Sequence, residues 1–262
     1  MTAKIIFVLS EARTGSTLLC QLLAHYKNVI NFHEVFHTGG DDPHYDIFNT
    51  SVSFNNILQH QFGDGVFDRE KMFPRIIENP KKLLTLMGEY FNETLIVKVH
   101  LHQLFSIDYP ISHILDWILM QLNHEFILLK RDFLKSHVSL LKAEQSGVWH
   151  NIDTTDIKVV VDLDRFKKKS AKYTWNYNAT KQKLQQHNRD YLYVDYDTDL
   201  KNYNIEQFDQ LIEPWSTRVG LELNSAGNAW IRVKKQNTDT DISHSISNWD
   251  ELSAILTTNL IG

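Results

Sequence analysis

The chain holds a single cysteine among 262 residues, so no internal disulfide framework can form. That residue, Cys20, falls on the inner stripe of the first helix, where a small buried apolar residue is expected rather than a nucleophile. No apolar run approaches the roughly 20 residues that a membrane-spanning helix needs. There is no Pro/Ser-rich linker and no internal repeat, and the length fits one α/β domain over residues 1–262. Basic residues are also short: 27 Lys and Arg against 32 Asp and Glu give a formal charge of −5. A generic nucleic-acid binder would show a basic face, so nucleic acid is not an expected partner. An anionic ligand would have to be held by a local pocket. The first strand begins almost at once, at Lys4, with no charged n-region or cleavage site, and a soluble cytoplasmic protein is expected.

What is present is enough for a large core: 42% of residues are hydrophobic and 23% charged. Short apolar runs alternate with helical periodicity, which predicts a three-layer α/β fold with a mainly parallel sheet flanked by helices. The strand candidates are 4–10, 28–32, 95–99, 125–130 and 191–196. Several lack alternation, as strands buried on both faces do. Helices are predicted over 16–26, from the stripe Leu18, Leu19, Leu22, Leu23 and Tyr26, and over 111–123, from Ile111, Ile114, Leu115, Ile118 and Leu119. Asn79 reads as a cap before Pro80, and Asn248 with Glu251 as an N-terminal capping pattern. The lysines 167–169 read as a solvated helix face. Residues 38–69 show no clean periodicity and read as a substrate lid or an irregular surface excursion.

Residues 7–23, "FVLSEARTGSTLLCQLL", have the layout of a phosphate loop: an apolar run, a polar turn with one glycine, then an amphipathic helix. Against the pattern G-x-x-x-x-G-K-[ST], Ser10 replaces the first glycine, Gly15 keeps the second, Ser16 replaces the lysine and Thr17 keeps the hydroxyl. Gly15 lets backbone N–H groups close round an anion at the helix N-terminus. Arg13 supplies a cation from within the loop. The loss of the lysine counts against a triphosphate held with Mg²⁺. A glycine turn joining a strand to a helix is the plain structural alternative.

A second junction, "EFILLK" running into "RDFLKSHVSLLKAEQSGVWH", places Arg131 at a strand end and Ser139 eight residues on, just over two helical turns. Both could face one anion, the arginine through its fork and the serine through its hydroxyl. A capped amphipathic helix with an incidental arginine is the alternative. Two anion sites at the ends of parallel strands suit a nucleotide carrying phosphate at both ends of its ribose.

At this point a family resemblance emerges. "RTGSTLL" resembles the 5′-phosphosulfate loop of sulfotransferases, and "RDFLKSHVS" resembles their 3′-phosphate motif. "AEQSGVWH" is similar to the bacterial carbohydrate, trehalose-type members. "VKVHLHQL" (97–104) resembles the strand-end K-x-H of the cytosolic enzymes, and "VDYDTDL" (194–200) their Y-E-D-L, with Tyr196 in the tyrosine position. "VKKQNTDTDISHSISNWDEL" (233–252) looks like the basic loop that closes over the 3′-phosphate. The resemblance implies a P-loop-like fold and 3′-phosphoadenosine 5′-phosphosulfate as sulfuryl donor. It implies that Arg13, Thr14, Gly15, Ser16 and Thr17 hold the 5′ end and that Arg131 and Ser139, with Tyr196, Lys234 and Lys235, hold the 3′ end. The acceptor would be a hydroxyl of a carbohydrate, glycolipid or related small molecule. Leu18 stands where the cytosolic enzymes have an aromatic, so adenine stacking must come from elsewhere.

Sulfuryl transfer is helped by positioning and charge, with a base for the acceptor proton. Arg13 would steady the departing phosphate, with Lys98 as helper. Glu34, in "NFHEVFH", stands where trehalose-type enzymes carry a catalytic glutamate, and His100, in "KVHLH", where cytosolic enzymes carry a catalytic histidine. The bacterial character of the 3′-phosphate segment favours Glu34, which as a base would benefit from a raised pKa. "HEVFH" also matches H-E-x-x-H, but it follows a short strand and runs into "TGGDDP", leaving little helix for zinc chemistry. A P-loop small-molecule kinase using ATP and Mg²⁺ is the rival enzyme, and a non-catalytic nucleotide-binding module the third alternative.

Overall fold

The computed structural model of the chain describes residues 2–36, 52–63, 69–109, 111–149, 153–202, 205–223 and 241–259. Among the described residues five strands, β1 (Ile5–Ser10), β2 (Val29–Asn31), β3 (Thr94–His100), β4 (His124–Lys130) and β5 (Leu192–Asp195), form one sheet in the order β2-β3-β1-β4-β5. Every pairing is parallel. Helices cover both faces, so the architecture is the expected three-layer α/β arrangement. Among the described residues no helix is long and apolar enough to cross a membrane.

Alternation within the buried strands divides their side chains between two cores. Ile5, Phe7 and Leu9 of β1 enter one with Leu95, Val97 and Val99 of β3 and Phe126 and Leu128 of β4. Ile6 and Val8 enter the other with Ile96, Ile127 and Leu129. On this second face lie α1 (Ser16–Leu23) and α9 (Ile205–Val219). On the first lie α2 (Val52–Phe62), α3 (Arg69–Glu78), α4 (Pro80–Tyr90), α5 (Leu101–Phe105), α6 (Leu115–Met120) and α8 (Leu163–Gln186). A satellite core joins α7 (Phe133–Ser146) to α10 (Trp249–Asn259) through Val138, Phe166, Ile246 and Leu252.

Several local expectations need correction. The 38–69 segment contains helix α2, whose Phe54 and Leu58 are fully buried. Its remaining parts, 38–51 and 64–68, lie outside the described residues. Helix α6 is shorter than the predicted 111–123, because 111–113 form a turn, although Ile111 and Ile114 stay buried. Asn79 is the N-cap residue of α4 with Pro80 at its first position, as expected, but its side-chain amide donates back to the Arg75 carbonyl at 2.9 Å and bonds no amide of the helix. The Asn248 amide both accepts from and donates to the Val161 backbone, at 2.9 Å each way. Lys167 and Lys168 are solvent-facing on α8, as read.

Cys20 is buried and its thiol is pushed up to about 12 by burial, which leaves it an inert core group. Two buried imidazoles, His124 and His137, are pushed down to about 4 by burial. In the unfolded chain they bind protons near the ordinary value of 6.5. Their folded pKa is depressed, so this part of the stability is complete above about pH 6.5 and is lost as pH falls toward 4. Denaturant titrations across that window should show stability declining with acid, and His124→Gln and His137→Gln should each flatten the slope.

Candidate active site

The parallel register decides which residues meet. Ser10 pairs with His100, and Lys130 with Asp195, so the segments leaving β1, β3, β4 and β5 emerge along one edge. In an open parallel sheet that carboxyl edge is where ligands bind. Beyond β2, Lys98 N–H donates to the His33 carbonyl at 2.7 Å and His33 turns through a positive φ of 50°. Glu34 is thereby carried over the end of β3.

The loop after β1 has two residues in the left-handed region, Arg13 (φ 63°) and Gly15 (φ 88°). Gly15 is the residue before α1, and the Tyr196 ring lies directly on it: a Cβ there would overlap the ring. Tyr196 opens a π-helical turn over Tyr196–Leu200. Register places it beside Arg131, whose guanidinium stacks over the ring at 4.5 Å. Arg131 Nη1 donates to the Arg13 carbonyl at 2.9 Å, while its Nε is buried with no hydrogen-bond partner among the described residues. Arg13 reaches across to α7, donating from Nε to Ser139 Oγ at 3.2 Å and from Nη1 to the Trp149 carbonyl at 2.8 Å. Thr14 is fully buried and its hydroxyl donates to the Glu11 carbonyl at 2.7 Å. The two predicted anion motifs therefore converge on one cluster, with Arg13 between them.

Beside this cluster stands a buried charge group. Lys98, 3% exposed, places Nζ 2.5 Å from Glu34 Oε1 and donates to Thr17 Oγ1 at 3.2 Å. His100 Nε2 lies 3.2 Å from the same Glu34 oxygen, and His100 Nδ1 is buried, with the His100 side chain turned toward the Gln103 N–H at the start of α5. The two rival base residues thus touch each other. Burial works against ionisation of Glu34, but the charges of His100 and Lys98 outweigh it and hold the carboxyl well below the usual carboxylate range. A glutamate base with a raised pKa is not what the geometry provides.

Three supporting residues carry no motif. Tyr173 on α8 donates to the Arg131 carbonyl at 2.6 Å and accepts from its N–H at 3.3 Å. One turn on, Tyr177 donates to the Leu129 carbonyl at 2.5 Å and accepts from Glu11 N–H at 3.4 Å. Burial pushes the Tyr173 hydroxyl up to about 12 and that of Tyr177 well above its ordinary value, so both stay protonated donors. Glu11 completes the set, its carboxylate held by Asn176 and His102. The signal available in the sequence was the spacing of Tyr173, Asn176 and Tyr177 on one helical face.

Lys234 and Lys235 lie outside the described residues. His33 and Glu34 lie in irregular backbone and Val35 and Phe36 in a turn, so the described part of "HEVFH" forms no helix that could present two histidines to zinc. No family model matches the chain, and no curated protein matches it significantly.

Gly15→Ala should cost roughly 1–3 kcal/mol from the positive φ alone. Tyr196→Ala added to it should relieve the overlap with the ring but leave that backbone cost, as measured by chemical denaturation. Glu34→Gln should destabilise by roughly 3–5 kcal/mol at neutral pH, because Lys98 stays buried without its carboxylate. The folded carboxyl is depressed below the ordinary 4.5, so the pairing contributes fully above about pH 4.5 and is lost as pH falls below it. The gap between wild type and Glu34→Gln should therefore narrow in acid.

Proposed function

We propose that the protein is a sulfotransferase with a P-loop-like nucleotide site, taking its donor as 3′-phosphoadenosine 5′-phosphosulfate and its acceptor as a hydroxyl of a carbohydrate, glycolipid or related small molecule. The observation that carries this reading is the convergence of Arg13, Arg131 and Ser139 around the Gly15–Tyr196 contact, immediately beside Lys98, Glu34 and His100. Two cationic forks and a hydroxyl in one cluster suit a nucleotide with two separated anionic ends. The buried, unpartnered Nε of Arg131 is a donor that such an anion would satisfy. The absence of a Cβ at Gly15 leaves the loop close to Tyr196 with its amides directed by α1.

When bound, the donor supplies an activated sulfuryl group. The chain's own residues then have distinct tasks. Arg13, Thr14, Gly15, Ser16 and Thr17 hold the 5′ end, and Arg131 and Ser139 the 3′ end. Lys98, next to the Thr17 hydroxyl, contributes positive charge where negative charge develops. Glu34 accepts from His100 Nε2, which fixes the tautomer in which Nδ1 carries the lone pair. His100 then takes the acceptor proton, and Glu34 stabilises the resulting imidazolium. The preference that sequence alone gives to Glu34 is replaced by a pair in which histidine is the base and glutamate its orienting partner.

One observation favours the rival kinase. Lys98 delivers from β3 a buried ammonium to the start of α1, where the loop itself lacks a lysine. Calorimetric titration with 3′,5′-bisphosphoadenosine, and separately with ATP plus Mg²⁺, distinguishes the two. Bisphosphoadenosine should bind wild type and lose at least tenfold in affinity in Arg131→Ala. Preference for ATP with Mg²⁺, or indifference to Arg131, would sink the sulfotransferase reading.

A further inference from the structure

Glu11, the first residue after β1, has no task in the reaction just described, yet it is a carboxylate only 8% exposed. Asn176 Nδ2 donates to its Oε1 at 2.5 Å, and His102 Nδ1 lies 3.0 Å from Oε2. His102 is not sealed: 31% of its side chain is exposed, and Nε2 is left as its second polar atom. Its ring stacks on that of His100 at 5.5 Å, with 14° between the planes, and meets the edge of Tyr109 at 5.4 Å. This second carboxylate–imidazole pair therefore lies directly against the first.

An apolar platform adjoins it. Phe105 is three residues from His102 on α5, hence on the same helical face. Its ring meets that of Trp175 edge-on at 5.2 Å, and Trp175, the neighbour of Asn176 in α8, is 55% exposed. A large open indole, a half-open imidazole and a buried carboxylate thus stand in succession beside His100, through the Phe105–Trp175 contact, the His102–Glu11 pair and the His102–His100 stack.

We propose that Glu11, His102, Phe105 and Trp175 form the acceptor subsite, and that the acceptor is polyhydroxylated, with one apolar ring face, as a sugar is. A sugar hydroxyl can donate to the carboxylate while another bonds His102 Nε2, and the C–H face of the ring covers the indole. A simple aliphatic alcohol would use the platform but leave the polar pair without a task. The placing of this subsite beside a base rests on the sulfuryl-transfer reading; the sugar contact itself is tested separately.

Saturation-transfer NMR with trehalose, maltose and lactose as probes, and 1-octanol as an aliphatic comparator, reads the subsite directly in wild type, Glu11→Gln and Trp175→Ala. At least one disaccharide should bind wild type and weaken at least fivefold in both variants. Trp175→Ala, at an exposed position, carries the test by itself if Glu11→Gln does not fold. The proposal is overturned if no disaccharide binds wild type, if octanol binds in their place, or if Trp175→Ala binds sugar as wild type does. Parallel titration with 3′,5′-bisphosphoadenosine separates the two readings. Sugar binding lost in the variants without any nucleotide binding would uphold the subsite and sink the donor assignment.

Discussion

An ammonium group inside a parallel sheet must find an anion, and Lys98 finds Glu34. Removing both charges from water is costly, and the pair is tolerable because further polar atoms complete it: the Thr17 hydroxyl on one side and His100 on the other. That requirement fixes much of the surrounding chain. It draws the segment after β2 over the end of β3, sets the first turn of α1 against the sheet, and orients the imidazole that closes β3. Three stretches separated by long intervals in sequence are tied together through one buried nitrogen.

The second organising contact is of a different kind. Gly15 and Tyr196 meet because the loop has no side chain there, and Arg131 stacks over the same ring. Charge and ring face are combined, so Arg131 is held in place while part of its donor capacity stays unused. Arg13 links this stack to α7. The result is a cationic cluster with fixed geometry in a chain whose overall charge is negative, which is how a local pocket can attract an anion without a basic surface.

The sequence discloses the scaffold well and the support poorly. The five described strands are visible as short apolar runs, and the three central ones, β1, β3 and β4, are buried on both faces, a pattern that requires no knowledge of partners. Gly15, Arg13, Arg131, Ser139 and Tyr196 stand out because phosphate chemistry demands particular residue types at strand ends. Their mutual contacts do not stand out, since these depend on the register of β4 against β5 and of β1 against β3. The meeting of Glu34 with His100 is likewise a product of strand order; in sequence they are rivals 66 positions apart. Glu11, His102 and Asn176 were hidden for another reason, because a carboxylate, an imidazole and an amide scattered over three segments have no signature until folding joins them. Helix α2 was obscured by a polar, glycine-rich approach that masks the two phenylalanines it buries.

Tyr173 and Tyr177 lie one turn apart on α8; their hydroxyls donate to the backbone at the end of β4, and that of Tyr177 also accepts from the Glu11 N–H just after β1. A single stiff rod of 24 residues therefore holds both halves of the cluster at once. Any displacement of α8 along its axis would shift the Arg131 junction and the Glu11 junction by the same distance and in the same direction. The two halves can be carried together, but α8 gives them no means of being separated. The Arg131 and Glu11 junctions are thus held to one helix as well as to each other through the β1–β4 ladder.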